Sequence, residues 1–357
     1  MTSRRNEQEG RSSGPLRLSL LVLLVALLFF AGWLLQQQDE PVIHAFDGLT
    51  MGSGWSVRVV ASPDLDTALL RARIEQRLSE LDQQLSGYRP GTGVSVVNAA
   101  SLGTWVPLPP DLAAVLRKGF DLHRQTGGAF DMTVRPLVLL WGFGAAEPRD
   151  APPSEQEIRE ARSHLASDQF EISASGDRIR RHADATLDVD AIAPGHVADE
   201  ISRLLSEAAL PDHLVEIGGE LRARGRRPGG SGWRIGIERP VLQRADIAEV
   251  IEVSDAGVAT SGDYRDYFEV GGVRYSHTLD PRTGRPVSHE LASVTVIAPT
   301  TLAADGYATA LTVMGPEAGM RFAEDHGLAV FMILRDASGK LSERYNPRFA
   351  PYLGTKP

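Results

Sequence analysis

The chain has 357 residues, with 37 Lys+Arg against 46 Asp+Glu for a formal charge of −9, 42% apolar and 23% charged residues, and no cysteine. This is a globular composition long enough for one large domain or two intimately packed ones, which excludes a disordered or fibrous chain. The acidic balance excludes a dominant non-specific nucleic-acid surface, and the missing cysteines exclude disulfides, thiolate metal sites, Cys nucleophiles and Cys lipidation.

Residues 18–35 form an apolar run of eighteen, LSLLVLLVALLFFAGWLL, preceded by Arg4, Arg5, Arg11 and Arg17 against Glu7 and Glu9. That length is near the minimum for crossing a bilayer core of roughly 30 Å. The arginine excess keeps residues 1–17 cytoplasmic and sends the rest across. A cleaved signal peptide is the alternative, although the run exceeds the usual h-region and no A-x-A site follows. Either way, residues 42–357 lie outside the cytoplasmic membrane. Residues 36–43 then read as a linker, 44–345 as the folded domain and 346–357 as a tail.

Past the linker, 57–61 alternates as a strand, and 65–85 carries Leu70, Ile74, Leu78, Leu81 and Leu85 at helical spacing. A second helix covers 111–126 and stops at Gly127-Gly128. A Pro-rich break at 151–154 precedes a short charged helix at 155–165. Residues 169–172 and 178–181 read as a hairpin across Ser175-Gly176-Asp177, and 194–209 reads as a helix. Strands follow at 214–217, 233–237, 248–253, 267–270, 273–276 and 293–298. A helix at 300–314 and a strand at 328–334 complete the series. Helices alternate with hairpin-like neighbours, which favours an α+β fold over a doubly wound parallel sheet.

Five segments carry chemistry. Gly127 to Val134 puts two glycines beside Phe130 and Asp131; it reads either as a helix stop followed by a strand or as a backbone that lets a ligand approach closely. In Thr186 to Asp199, a strand ending in Asp188 and Asp190 leads into a helix with Pro194 near its first turn. Such a helix start suits a phosphate as readily as it makes an ordinary join. Val215 to Leu221 contains Gly218-Gly219, a bulge or a place where a ligand presses on backbone, without the spacing of a dinucleotide fingerprint. The arginines at 222, 224, 226 and 227 read as a solvated loop. The fourth segment runs from Ala259-Thr260-Ser261-Gly262-Asp263-Tyr264, a small polar loop after a strand, to Tyr275 through Gly284. There His277 precedes the turn signal Asp280-Pro281 and is either structural or a general base. In the fifth, Asp305 and Thr309 are i and i+4 on one helix face, a buried polar pair or an oxygen site for a hard cation such as Mg²⁺.

Taken together and in order, these segments resemble the FAD:protein FMN transferases of the ApbE family. The matching stretches are Met51-Gly52, Ser86-Gly87-Tyr88, Gly128-Ala129-Phe130-Asp131-Met132-Thr133-Val134, Leu187-Asp188, Ile192-Ala193, Ile217-Gly218-Gly219-Glu220, Thr260-Ser261-Gly262-Asp263-Tyr264, His277, Asp280-Pro281-Arg282-Thr283-Gly284, and Asp305 with Ala308-Thr309. The resemblance implies a single ApbE-like, T-fold-like α+β unit over 44–345, its two closely packed halves enclosing the flavin. It implies transfer of FMN from FAD to a Ser or Thr hydroxyl of a target protein, with release of AMP. Met51, Tyr88, Ala129, Phe130, Asp131, Asp190 and Leu279 would line the FAD site. Asp305 and Thr309 by side chain, and Ala193 and Ala308 by backbone carbonyl, would hold Mg²⁺. His277 would be the base for the acceptor hydroxyl.

The partner implied is an extracytoplasmic domain of a membrane electron-transfer complex, such as a sodium-pumping quinone reductase or a nitrous-oxide respiration regulator. The location implied is the cytoplasmic membrane, single-pass, with the catalytic domain on the periplasmic side. Two other readings share the flavin site: a non-catalytic FAD-binding maturation factor, and a hydrolase giving FMN and AMP. The chain departs from the family at Pro194, where relatives often carry Lys; His196 or an arginine then becomes the candidate for nearby FAD contacts. It also departs at Ser53-Gly54-Trp55. With no lipobox Cys, the 18–35 helix takes the place of a lipid anchor.

Overall fold

The computed structural model describes residues 40–144, 146, 149, 151–241, 246–262, 267–270 and 273–354. The apolar run 18–35, Asp263 and Tyr264 lie outside them, and no helix among the described residues is long and apolar enough to cross a membrane. The chain separates into a small unit, Met1–Val42 with Ser62–Leu65, and a main body, Ile43–Ala61 with Asp66–Pro357. In the small unit the described residues include a turn closed by Leu65 N–H to Ser62 O at 3.1 Å. Apart from Val42, the first residue of β1, the sheet, the helices and the cleft described below belong to the main body.

The strands in chain order are β1 (Val42–Thr50), β2 (Ser53–Ala61), β3 (Val106–Pro107), β4 (Phe170–Ile172), β5 (Arg178–Arg181), β6 (His213–Ile217), β7 (Glu220–Arg224), β8 (Trp233–Glu238), β9 (Ile247–Val253), β10 (Ala256–Gly262), β11 (Tyr267–Val270), β12 (Val273–Ser276), β13 (Leu279–Asp280), β14 (Arg285–Pro286), β15 (Leu291–Ala298), β16 (Ala329–Arg335) and β17 (Leu341–Tyr345). The helices are α1 (Thr67–Leu85), α2 (Gly93–Ala99), α3 (Pro110–Gln125), α4 (Arg135–Leu140), α5 (Glu155–Ser163), α6 (Ala193–Glu207) and α7 (Thr301–Asp325).

Eight strands form one sheet in the order β1-β2-β6-β7-β10-β15-β16-β17. All eight residues of β15 are buried, as expected for a central strand covered on both faces. Helices α6 and α7 cover one face. The ribbon β8–β9 covers the other, burying Trp233, Ile235, Ile237, Ile251 and Val253 against Leu214, Val258, Ile297 and Phe331. Phe349, beyond β17, is fully buried in the same cluster, and Leu353 bridges to Ile251, so residues 346–354 close the fold.

The local reasons are visible in the sequence. Asp66 caps α1 by accepting from Leu69 N–H at 2.9 Å, and Leu70, Ile74, Leu78, Leu81 and Leu85 form its buried stripe. The hairpin read at 169–181 is β4–β5. Three expectations change. Residues 185–189 join no ladder, so no strand leads directly into α6. Residues 259–262 are not a loop but the end of β10, paired residue by residue with β15 through Gly262↔Ser293. After Gly127-Gly128 the chain turns and enters α4 instead of forming a strand. Helix α7 also runs eleven residues past Met314, across a kink at Gly315 (φ 76°) and Pro316. Pro316 has no N–H to give the Thr312 carbonyl, and His289 Nε2 fills that place at 2.8 Å.

Candidate functional site

The site begins where the first turns of α6 and α7 touch. Gly195 permits that contact: a Cβ there would lie 2.6 Å from the Thr301 carbonyl oxygen and 2.8 Å from Asp305 Cβ. Its N–H donates to Asp305 Oδ2 at 2.9 Å. One turn further along α6, Asp199 caps α7, accepting from Thr301 N–H at 3.0 Å and Leu302 N–H at 2.9 Å. The Arg222 guanidinium ties the junction to β7, donating to the Pro299 carbonyl and lying 3.7 Å from Asp199.

Asp305 is buried at this junction. Its pKa stands well above the ordinary carboxylate value, first because burial disfavours the charge, then because Glu220 and Asp199 add negative charge; the Gly195 N–H offsets only part of this. Thr309, one turn on, borders the same cleft as Asp305 and Glu220. A buried carboxylate beside further acids, with oxygen donors around it, has the chemistry of a hard-cation site, so the residues fit Mg²⁺. Ala193 opens α6 two residues before Gly195, and the Ala308 carbonyl accepts from Thr312 Oγ1 at 2.9 Å. Both alanines are buried, and neither lines the cleft.

The cleft has a volume of about 1840 Å³. At another corner the Tyr88 hydroxyl donates to Asp190 Oδ2 at 2.6 Å, and the Arg135 guanidinium sits 5.1 Å from the Tyr88 ring centroid. Burial, and then the charge of Asp190, push the Asp188 carboxyl up to about 6, against the pull of Arg135 at 3.9 Å. The Gly127-Gly128 turn (φ 58° and 80°) carries the next wall. Ala129, Phe130 and Asp131 border the cleft; Asp131 Oδ2 lies 3.3 Å from His123 Nδ1, and Oδ1 is engaged by protein donors. Its Oδ1 accepts from Thr133 N–H at 2.7 Å, from the Thr133 hydroxyl, and from Ser167 Oγ at 2.7 Å. His277, just past β12, has its ring 6.4 Å from Phe143, edge to face, and Leu279 is buried in β13.

Tyr88, Ala129, Phe130, Asp131, Asp190, His277, Leu279, Asp305 and Thr309 thus line one cleft, together with Thr260, Ser261 and Gly262. Met51 is not in the wall. It forms the β1–β2 turn with Gly52 (φ 48° and 79°), a hairpin whose Asp47, Ser53 and Trp55 do border the cleft. His196 does not reach it: buried, it lies at 3.0 Å from Asp111 Oδ1 and offers nothing to a ligand near Pro194. The sequence alone assigns no role to Asp188, Arg135 or Glu220, whose meaning depends on which distant groups they face, although Asp188 and Glu220 stand in the matching motifs.

A second group of acids sits apart. Asp111, His196 and Glu200 have ligand atoms within 4.8 Å of one another. Arg77 already stands among them, its Nη2 2.8 Å from Asp111 and 2.7 Å from Glu200, while Gln84 Nε2 donates to Asp111 Oδ2 at 2.8 Å. Burial would raise the Asp111 carboxyl, yet the bonds from His196 and Arg77 hold it below its ordinary value. This cluster carries its own cation.

The fold is that of a flavin transferase. The chain superposes on the flavinyl transferase ApbE of Pseudomonas stutzeri in its apo form with a TM-score of 0.79, at 40% identity, covering 88% of this chain and 98% of that one. The flavin transferase ApbE of Vibrio cholerae gives a TM-score of 0.80 at 34% identity, with 88% and 100% covered. By sequence, a Vibrio cholerae FAD:protein FMN transferase is 36% identical over 335 residues, 93% of this chain and 98% of the relative. That of Escherichia coli K12 is 33% identical over 343 residues, with 93% and 97% covered. The ApbE family profile matches residues 51–332. The chain belongs to the ApbE family.

Proposed function

We infer that this chain transfers the FMN half of FAD to a Ser or Thr hydroxyl of a target protein and releases AMP. The observation that carries the reading is Asp305, an acid buried beside other acids at the edge of a cleft large enough for a dinucleotide. The acceptor oxygen forms a bond to the FMN phosphorus, the phosphoanhydride bond breaks, and AMP leaves. The hydroxyl proton passes to the His277 ring and on to solvent. Transfers of this kind depend on positioning and charge neutralisation more than on covalent help. Asp305 and Thr309, with the carbonyls of Ala193 and Ala308, would hold Mg²⁺, which when bound neutralises pyrophosphate charge. Tyr88, Asp190 and the Ala129–Asp131 wall orient the dinucleotide on one side and Leu279 on the other, so that the two halves of the fold enclose the flavin, with Met51 at the hairpin turn above.

The same reading keeps residues 18–35 as a membrane anchor and the domain outside the cytoplasmic membrane, supported by the arginines that precede the run. Protease accessibility of the domain in spheroplasts tests that placement; protection from protease contradicts it.

Incubation with FAD, Mg²⁺ and an extracytoplasmic acceptor domain, read by intact mass, is expected to add FMN to the acceptor with one AMP per FMN. AMP release with an unmodified acceptor would make the protein a hydrolase. His277→Ala is expected to slow transfer by roughly 10²–10⁴-fold while FAD still binds; parallel losses of rate and FAD affinity would make His277 a binding residue.

A further inference from the structure

The cleft exceeds the roughly 300–1,000 Å³ of an ordinary small-molecule site, and part of its wall is unlike the rest. Residues Arg234 through Glu238 of β8 all border it. Successive side chains of a strand point to opposite faces, so consecutive lining residues mean that the edge of β8, its main chain, faces the cleft.

That edge is free. Strand β8 pairs with β9 alone, and no backbone hydrogen bond reaches its outer side among the described residues. The ladder fixes which groups point outward. Gly236 pairs with Val250, whose carbonyl accepts from Gly354 N–H at 3.0 Å on the far side of β9. In an antiparallel pair the N–H and C=O of one residue point to the same side. Val250 therefore faces away from β8, and Gly236 faces away from β9, its N–H and C=O directed at the open edge; Arg234, two residues earlier, repeats the orientation. Natural proteins cover or blunt such edges because they invite a further strand. Here the edge lies in the wall of the reaction cleft. Arg58 of β2 also borders the cleft, and neither Arg58 nor Arg234 forms an ion pair among the described residues, although Glu252 stands opposite Arg234 in the ladder.

We propose that the outer edge of β8 docks the acceptor protein by strand addition. An extended stretch of the acceptor flanking the modified Ser or Thr pairs with the main chain of Arg234 and Gly236, and Arg58 and Arg234 face an acidic residue on it. Main-chain bonds supply affinity, and the alternate side chains supply selection. The inference rests on the transferase reading and goes beyond it in saying how the protein substrate is held.

The test uses the whole chain, FAD, Mg²⁺ and a purified extracytoplasmic acceptor domain that the wild-type chain flavinylates. Initial rates are read by intact mass against acceptor concentration, and FAD affinity by flavin fluorescence. Gly236→Pro removes one outward N–H without touching the β8–β9 ladder, a change an edge strand tolerates. It is expected to raise KM for the acceptor tenfold or more with kcat and FAD affinity within twofold. Gly236→Ala places a similar Cβ, 3.2 Å from the mobile end of Ile247, but keeps the N–H, and is expected to restore most of the acceptor affinity. Arg234→Glu is expected to raise KM severalfold, again with FAD affinity unchanged, and it carries the test alone if the proline variant does not fold. Wild-type KM in both Gly236→Pro and Arg234→Glu, or a matching loss of FAD affinity in either, overturns the proposal. Failure of the wild-type chain to flavinylate any acceptor counts against the transferase reading instead.

Discussion

Two buried groups of acids meet helix α6 a few residues apart, and the protein treats them in opposite ways. Around Asp111 and Glu200 the balancing cation is built in: the Arg77 guanidinium bonds to both, and His196 and Gln84 occupy what remains of Asp111. Around Asp305 the neighbours are Glu220 and Asp199; Arg222 and the first N–H groups of α7 are turned to Asp199, and Asp305 itself receives the Gly195 N–H. The first group is complete as it stands. The second is held in place at an electrostatic cost, as expected where charge is to be supplied from outside. Proximity of ligand-type side chains therefore does not identify a metal centre; the sign of the remaining charge does. His213 shows a third solution. It is buried uncharged between Ser202 Oγ at 2.7 Å and the Leu210 carbonyl at 2.7 Å, and burial pulls its pKa down to about 4.

The largest expected effect breaks the second group. Asp305→Ala is expected to lower Mg²⁺-dependent flavinylation by about 10³-fold or more, because several kcal/mol of charge stabilisation disappear, while circular dichroism stays native. Unchanged Mg²⁺-dependent turnover removes Asp305 from the site. Next, Arg77→Met leaves Asp111 without its cation, while Glu200 keeps Arg203 at 2.8 Å, and is expected to cost roughly 3–5 kcal/mol of stability in denaturant unfolding. A loss under about 1 kcal/mol, the scale of an exposed ion pair, would mean that the cluster does not depend on its arginine. The smallest effect concerns His213. Its folded pKa lies below the usual value near 6.5, so the unfolded chain binds the extra proton as pH falls. Stability is intact above about pH 6.5 and is lost between there and about pH 4, by up to roughly 3 kcal/mol from this group. His213→Gln is expected to show a shallower decline between about pH 7 and pH 5, and an identical slope contradicts the assignment.

The contrast also explains what could be read without the structure. The stripe of α1, the β4–β5 hairpin and most strands follow from local periodicity and turn chemistry, which the chain states within ten or twenty residues. Helix α7 past Gly315 could not be read, because the bond that Pro316 cannot make comes from His289, 23 residues before Thr312. The end of β10 looks like a polar loop because Thr260 and Ser261 face a cleft that only the assembled sheet creates. In the site, Asp305 and Thr309 are legible as a pair from their i, i+4 spacing. Asp131 reads as a ligand carboxylate and does border the cleft, yet its Oδ1 also braces Thr133 and Ser167, which the sequence does not show. His196 reads as a spare ligand near Pro194 but belongs to the Arg77 cluster. Each acid's meaning lies in its long-range partners, and order and motif spacing alone convey that these segments meet.

The most direct measurement is thermal unfolding of the wild-type chain and Asp305→Asn, each in chelator and in Mg²⁺. The amide variant is expected to melt higher than wild type in chelator, by roughly 2–5 °C, because an amide oxygen can accept the Gly195 N–H without the cost of ionising a buried carboxyl beside other acids. Mg²⁺ is expected to raise the wild-type midpoint and to leave that of the variant unmoved. Equal stabilisation of both proteins by Mg²⁺, or a variant that melts below wild type in chelator, would contradict the assignment of Asp305 as the acid that awaits a cation.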